Sequence, residues 1–150
     1  MATMPHLPAE VVSQLSAVCD VLRSRLADQL LAVHLYGSAV DGGLKPSSDL
    51  DLMVSVGQPL TEGRRNEIMH ELPHHSAAPG SSRLLRALEV TVVAIGEVVP
   101  WRYPPRREMQ FGEWLREDIL GGRIEPGMLD VDLAFLLPKV RNHTTALVGP

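Results

Sequence analysis

The sequence predicts an α/β fold in which a small mixed sheet packs against flanking helices. One observation is an apolar stripe of helical period that follows Pro8. Another is a set of three short runs, residues 32–36, 50–54 and 88–94, whose alternating or β-branched residues are typical of strands. The length of 150 residues is that of one ordinary domain, with enough chain to bury a core. The order of the strands is not predicted.

The first helix is predicted to open at Pro8. Its stripe consists of Val11, Leu15, Val18, Leu22 and Leu26. Cys19 lies next to this stripe and is predicted to be a buried, inert thiol. Because it is the only cysteine, the chain has no intramolecular disulfide framework and no thiolate metal cage.

The later elements follow from similar signals. Thr61 is predicted to cap a second helix that Pro73 ends. Residues 74–82 are rich in Ser, Ala, Pro and Gly, which predicts a flexible loop. Three further elements are predicted toward the C-terminus: helices over residues 108–120 and 129–140 and a short strand over residues 146–148.

The composition excludes several functional classes. With 45% hydrophobic and 21% charged residues, the chain has the composition of a soluble globular protein. A formal net charge of −4 argues against general nucleic-acid binding, which needs a concentrated basic patch, and favours a cationic partner. The sequence has no apolar stretch of membrane-spanning length and no signal-peptide pattern. We therefore predict a cytoplasmic protein without a nucleic-acid or membrane partner.

The most informative motif lies between the first two predicted strands. Gly37 and Ser38 turn the first strand toward a short helical segment whose free N–H groups suit a phosphate. Asp49 and Asp51 are two residues apart at the start of the second strand, so they project from the same face. Two adjacent carboxylates repel each other, and a hard divalent cation such as Mg²⁺ explains their pairing. The motif therefore predicts a nucleoside triphosphate as ligand.

Glu89 is the only charged residue in the third predicted strand. If this strand lies beside the second, Glu89 completes a three-carboxylate site for nucleotidyl transfer, where it serves as the base, as a metal ligand, or as both in turn. The alternative is a Glu on a solvated strand face, paired with Arg83 or Arg86. The upstream Gly-Ser and Asp-x-Asp elements favour the functional interpretation.

Two other patterns imitate functional motifs. Asp130 and Asp132 repeat the two-apart spacing, but they lack the Gly-Ser turn and introduce a helical pattern, so we interpret them as carboxylates at a helix N-terminus. His70 and His74 formally match the zinc-protease motif, but Pro73 breaks the helix that both would have to share. Zinc hydrolysis is therefore the weaker hypothesis.

The Gly37-Ser38 turn, the Asp49-x-Asp51 pair and the strand carboxylate Glu89 resemble the DNA polymerase β-like nucleotidyltransferases. The chain is similar, over nearly its whole length, to one branch of that superfamily, the aminoglycoside 3''-adenylyltransferases, which confer streptomycin and spectinomycin resistance. Four segments carry this similarity: residues 34–46, 100–104, 110–114 and 146–150.

The resemblance implies transfer of AMP from ATP to an antibiotic hydroxyl, with release of pyrophosphate and a requirement for Mg²⁺. By position, Asp49 and Asp51 resemble the Mg²⁺ ligands and Glu89 resembles the catalytic base. The other implied site residues are Gly37, Ser38 and Ser48 at the ATP phosphates, and Trp114, which corresponds to an aromatic residue lining the antibiotic site. By its helical spacing alone, Trp114 would be a core residue.

Members of this family are longer than the present chain and continue into a helical domain that closes over the cleft. The resemblance therefore implies that residues 1–150 form the nucleotidyltransferase domain and that the helical domain is absent. Two other hypotheses remain: a minimal nucleotidyltransferase that acts with a separate helical partner chain, as in some toxin–antitoxin pairs, and a non-catalytic remnant. The number of cations and the antibiotic hydroxyl that accepts AMP also stay open.

Overall fold

A computed structural model describes residues 7–40, 43–99, 102–142 and 144–149. The strands in this part of the chain are β1 (Leu30–Tyr36), β2 (Leu50–Val56), β3 (Leu88–Ala94), β4 (Arg106–Arg107), β5 (Met109–Phe111), β6 (Met128–Leu129) and β7 (Thr145–Val148). The α-helices are α1 (Ala9–Leu26), α2 (Glu62–Glu71), α3 (Ile95–Val98), α4 (Arg116–Leu120) and α5 (Leu133–Asn142).

Five of these strands form one mixed sheet in the order β5-β3-β2-β1-β7. β2 and β3 run parallel, and the other neighbouring pairs run antiparallel. A parallel pair needs a crossover connection, which α2 and the segment after it provide. β4 and β6 pair separately as a two-stranded ribbon. The predicted fold class is therefore confirmed.

One face of the sheet carries the main hydrophobic core. The alternation along β2 places Leu50, Leu52 and Val54 on this face, where they are buried together with the apolar stripe of α1. Every residue of the predicted stripe is at most 1% exposed. Cys19 is buried in the same core, and burial raises the pKa of its thiol, which agrees with the prediction of an inert cysteine.

The opposite face of the sheet is covered only in part, by α5. Leu133 and Val140 of this helix join Tyr36, Met53 and Val93 of the sheet in a second, smaller cluster. Asp51 and Glu89 share this face of the sheet and stay half-buried. The polar side chains at one end of these strands therefore border a surface that α5 leaves open.

The prediction of a helix over residues 108–120 is wrong for its first part. Met109 and Phe111 are buried on the core face while Gln110 between them is half-buried, and the segment forms β5 in antiparallel register with β3. Two apolar residues separated by one polar residue fit a strand as well as part of a helical pattern. The α-helix begins only at Arg116.

The last predicted helix begins later than expected. Met128 and Leu129 form β6, which is paired with β4, so α5 starts at Leu133. The strands predicted at residues 32–36, 50–54, 88–94 and 146–148 are all present, the first two and the last with longer bounds.

The capping prediction for α2 is confirmed. The Thr61 side-chain oxygen accepts a hydrogen bond from the Arg64 backbone N–H at 3.2 Å. The α-helix ends at Glu71, and Pro73 lies in the 3₁₀ turn that follows it. No described helix has the length and apolarity needed to cross a membrane.

Candidate active site

Three adjacent strands align a row of polar side chains at the open end of the sheet. Tyr36 in β1 pairs with Asp51 in β2, and Asp51 pairs with Glu89 in β3. Asp49 lies immediately before β2, two residues from Asp51. The parallel register of β2 and β3 therefore fulfils the condition that the sequence prediction placed on Glu89.

The carboxylates of Asp49, Asp51 and Glu89 form one cluster. One oxygen from each lies within 4.8 Å of the other two, and all three residues are half-buried. Burial first, and then the neighbouring Glu89 and Asp49 carboxylates, raise the pKa of Asp51 to about 7. In the described part of the chain, no ion pair neutralises any of the three. Three hard oxygen ligands at this spacing fit a hard divalent cation.

The alternative pairing of Glu89 with Arg83 or Arg86 is not found. The Arg86 guanidinium instead donates hydrogen bonds to the backbone carbonyls of Lys45, at 2.7 Å, and of Ser48, at 3.0 Å. Arg86 therefore holds the loop that leads into Asp49 rather than the carboxylate of Glu89.

Tyr36 is a residue of this row that the sequence did not single out as functional. Burial, and then the neighbouring Asp51 and Glu89 carboxylates, raise the pKa of its phenol. The phenol therefore stays neutral beside the cluster. The position of Tyr36 at the end of a predicted strand, directly before Gly37, is the sequence feature that could have indicated a place in the site. Only the pairing of β1 with β2 shows that Tyr36 lies next to Asp51.

The Gly37-Ser38 turn packs directly against the cluster. Residues Gly37–Ala39 form a 3₁₀ turn after β1, and Gly37 has a φ of +76°. A Cβ atom at Gly37 would overlap the Asp51 Oδ2 atom. Glycine is therefore required here both by the backbone conformation and by the closeness of the carboxylate.

The two serines predicted at the phosphates occupy different positions. Ser38 is half-buried in the turn after β1. Ser48 directly precedes Asp49, and its hydroxyl oxygen accepts a hydrogen bond from the Lys45 N–H at 2.9 Å. A hydroxyl that accepts one bond can still donate its own hydrogen. Contact of either serine with a phosphate stays a prediction.

Trp114 is 62% exposed, so its interpretation as a core residue is wrong. The pairing of Phe111 with Val90 places Gly112 level with Glu89 on the neighbouring strand. A Cβ at Gly112 would overlap the Trp114 ring, so the ring lies over this glycine. The indole is thus available for contact at the β5 side of Glu89.

The turn that carries Trp114 is fixed by an ion pair. Arg116 donates to both oxygens of Glu113, at 2.8 and 2.9 Å, and also to the backbone carbonyls of Pro73 and Ser76. The hydrogen bonds from Arg116 and from the Ser76 hydroxyl lower the pKa of Glu113.

This ion pair gives a prediction about pH. The folded-state pKa of Glu113 lies below its ordinary value of 4.5. The ionised Glu113 carboxylate therefore stabilises the fold above pH 4.5, and this stabilisation is lost as the pH falls through the folded-state pKa. We expect Glu113→Gln to lower the free energy of unfolding by about 2 kcal/mol at pH 7, a difference that shrinks toward pH 3. Urea unfolding from pH 3 to pH 7 measures this. Asp118→Asn, which breaks an exposed ion pair with Arg123, is the control and changes stability little at any pH; a pH-independent Glu113 effect would contradict the assignment.

The two patterns that imitate functional motifs lie outside the carboxylate cluster. Asp130 accepts hydrogen bonds from Arg107 at 2.6 Å and from the Asp132 N–H at 2.9 Å, just before α5. His70 lies in α2, whereas His74 lies in the 3₁₀ turn beyond it. Of all the described His, Cys, Asp and Glu side chains, the only three that come together closely enough to hold a metal ion are Asp49, Asp51 and Glu89.

Comparison with known proteins gives both sequence and structural matches, although no family model matches the chain. An aminoglycoside (3'')(9) adenylyltransferase from Shigella flexneri is 57% identical over 142 residues, which are 95% of this chain and 54% of that protein. A spectinomycin 9-adenylyltransferase from Staphylococcus aureus is 39% identical over 144 residues, 96% of this chain and 54% of that protein.

A solved structure supports the same relationship. The crystal structure of a spectinomycin adenyltransferase from Enterococcus faecalis, with ATP and spectinomycin, matches with a TM-score of 0.86 at 34% identity, over 92% of this chain and 56% of that one. The mixed sheet that carries the carboxylate row thus has the fold of a nucleotidyltransferase. More closely, the chain is a homologue of the aminoglycoside adenylyltransferases, and it spans about half the length of the curated relatives that it matches.

Proposed function

We propose that this chain provides the catalytic centre for transfer of AMP from ATP to a hydroxyl of streptomycin or spectinomycin, with release of pyrophosphate and resulting antibiotic resistance. The observation that carries this proposal is the cluster of Asp49, Asp51 and Glu89 beside the Gly37 turn. Its support is the similarity to adenylyltransferases at up to 57% identity.

In this proposal Asp49, Asp51 and Glu89 hold Mg²⁺, which when bound neutralises charge on the phosphate oxygens. The Gly37-Ser38 turn packs against Asp51, and Ser48 directly precedes Asp49. In this proposal these residues contact the phosphates through N–H and hydroxyl groups. A raised pKa, as at Asp51 in this cluster, is typical of carboxylates at sites that bind cations or move protons.

The order of the strands supports Glu89 as the base. β2 lies between β1, which leads into the Gly37 turn, and β3, which carries Glu89. Phosphates bound at the turn and an acceptor approaching along β3 therefore meet at Asp51 from opposite sides. The acceptor oxygen bonds to the α-phosphorus, its proton passes to Glu89, and the bond from that phosphorus to the pyrophosphate oxygen breaks.

The charge of the chain agrees with a cationic acceptor. The formal net charge is −4, and the carboxylate cluster concentrates negative charge at the open end of the sheet. An acidic surface raises the encounter rate with a cationic aminoglycoside, although it does not select the hydroxyl. Location in the cytoplasm, where ATP is available, remains a prediction.

A helical partner is also part of this proposal, because the matched relatives are about twice as long as the chain. The exposed Trp114 and Leu120 side chains, at 62% and 70% exposure, offer an apolar surface on the β5 and α4 side of the cluster. Such a surface fits either a further helical domain or a separate helical chain. Copurification of a tightly bound chain favours the toxin–antitoxin type of assembly.

The proposal is tested by pyrophosphate release from the purified chain with Mg·ATP and streptomycin or spectinomycin. The assay is run with and without the remaining half of the Shigella flexneri relative supplied in trans. Release in either case supports the proposal, and release only with the added half identifies an incomplete catalytic unit. Absence of release in both, from a chain that circular dichroism shows to be folded, contradicts it and favours a non-catalytic remnant.

Asp51→Asn gives a second test that needs no turnover. The wild-type melting temperature is expected to rise when Mg²⁺ is added, whereas the variant shows no rise, because it has lost a ligand of the cluster. In EDTA at pH 8 the variant is expected to melt above wild type, since burial and like charges disfavour the ionised Asp51. Asp28→Asn, an exposed residue outside the cluster, is the matched control. An equal response to Mg²⁺ in wild type and Asp51→Asn would contradict the metal assignment.

A further inference from the structure

Residues 45–48 form a turn directly before Asp49. The Ser48 N–H donates to the Lys45 carbonyl at 3.0 Å, and the Ser48 hydroxyl oxygen accepts from the Lys45 N–H at 2.9 Å. Both bonds join the ends of the turn to each other, so they fix its shape but not its place relative to the sheet. The position of Ser48 beside the carboxylate cluster therefore depends on contacts from outside the turn.

The Arg86 guanidinium makes such a contact. Its Nη1 atom donates to the carbonyls of Lys45, at 2.7 Å, and Ser48, at 3.0 Å, and lies 3.4 Å from the carbonyl oxygen of Pro46. Hydrogen bonds from a charged donor are roughly twice as strong as those between neutral groups. In the described part of the chain no carboxylate forms an ion pair with Arg86, and its partners are these carbonyls. Arg86 therefore ties the turn to the segment that leads into β3.

The backbone of Arg86 is itself anchored to α1. The Gln14 side chain is only 3% exposed and lies among the apolar residues of that helix. Its Oε1 atom accepts from the Arg86 N–H at 3.0 Å, and its Nε2 atom donates to the carbonyls of Arg86 and His75, both at 2.8 Å. A buried amide costs free energy unless it is hydrogen-bonded, and Gln14 spends its bonds on this one position. Arg86 is thus a fixed point from which the turn is held.

Strand register places Ser48 level with Arg86. Leu50 pairs with Leu88 in the parallel β2–β3 ladder, and both Ser48 and Arg86 lie two residues earlier. The N–H and carbonyl groups of Ser48 are engaged by Lys45 and Arg86, and its hydroxyl oxygen accepts from Lys45. The hydroxyl hydrogen is the remaining donor of Ser48, and it is available to a ligand next to Asp49.

On the basis of the proposed adenylyl transfer, we propose that Arg86 is a positioning residue for ATP and that it acts through Ser48. Arg86 holds the turn so that the Ser48 hydroxyl donates to a phosphate oxygen of the nucleotide. The guanidinium itself does not contact the phosphate, because its Nη1 hydrogens are directed at the carbonyls of the turn.

The test is isothermal titration of the whole chain with Mg·ATP in wild type, Arg86→Gln, Ser48→Ala and the double variant. Each single variant is expected to bind about tenfold more weakly, the loss typical of one hydrogen bond to a charged group. The double variant is also expected to lose about tenfold rather than a hundredfold, because both substitutions remove the same contact. Arg86→Lys keeps the charge without the fork of donors and is expected to retain part of the affinity.

Two controls separate positioning from charge and from stability. Arg83→Gln removes the same charge from an exposed residue three positions earlier, and it is expected to bind Mg·ATP as wild type does. Without nucleotide, the melting temperature of Arg86→Gln is expected to stay close to that of wild type, since the turn it holds is largely exposed. A loss of affinity well below that temperature is then not an effect of unfolding.

Four results would overturn the positioning role. These are wild-type affinity in either single variant, a hundredfold loss in the double variant, an equal loss in Arg83→Gln, and a folded wild-type chain that does not bind Mg·ATP at millimolar concentration. The proposed transfer reaction fails separately, through absence of pyrophosphate release from a chain that binds Mg·ATP.

Discussion

Replacing Glu89 with Gln is expected to lower the rate of pyrophosphate release by a factor of about 10²–10⁴, the usual contribution of a positioned general base. Glutamine keeps the shape of the side chain but accepts no proton from the acceptor hydroxyl at neutral pH. Because Asp49 and Asp51 remain as the proposed Mg²⁺ ligands, Mg·ATP binding should stay close to that of wild type. The measurement is pyrophosphate release at saturating Mg·ATP, together with nucleotide affinity from titration calorimetry.

The two measurements separate the roles that the sequence left open for Glu89. A fall in rate at constant nucleotide affinity identifies the base, whereas a shifted requirement for Mg²⁺ identifies a metal ligand. Glu97→Gln is the control because Glu97 is also half-buried but follows the opposite end of β3 and pairs with Arg102. Full activity of Glu89→Gln under conditions in which wild type turns over would show that the base lies elsewhere.

Local spacing was sufficient to predict two of the three carboxylates of the cluster. Asp49 and Asp51 are two residues apart at the start of an apolar run, and the alternation of a strand then fixes their common face. The place of Glu89 depended on a long-range condition, that β3 lies beside β2. The structure fulfils it through the pairing of Asp51 with Glu89, which no local pattern contains.

Other features required knowledge of the tertiary structure. The apolar spacing around Met109 and Phe111 fits two periods, and only hydrogen bonding to β3 selects the strand. The exposure of Trp114 follows from that change, because the residue lies in a turn rather than on a helix face.

Replacing Gly37 with Ala is expected to have the largest effect on the integrity of the site. The substituted Cβ would overlap Asp51 Oδ2, and the φ of +76° would strain an alanine even in open space. Strain of this kind costs about 1–2 kcal/mol, and displacement of the packed carboxylate adds to it, so a loss of about 3 kcal/mol or more in unfolding free energy is expected. Since Asp51 must move, Mg·ATP binding should be lost as well.

Gly80→Ala separates the effect of backbone strain from the effect of the overlap with Asp51. Gly80 has nearly the same backbone conformation, with a φ of +75°, but a Cβ there meets nothing within 4 Å. This variant should therefore show only the backbone strain, about 1–2 kcal/mol, with unchanged Mg·ATP affinity. Urea unfolding and nucleotide titration of both variants give the comparison. If Gly37→Ala loses no more stability than Gly80→Ala and still binds Mg·ATP, the contact between the turn and Asp51 does not organise the site. If its losses exceed those of Gly80→Ala in both measurements, the Gly37 turn and the Asp51 carboxylate act as one structural unit.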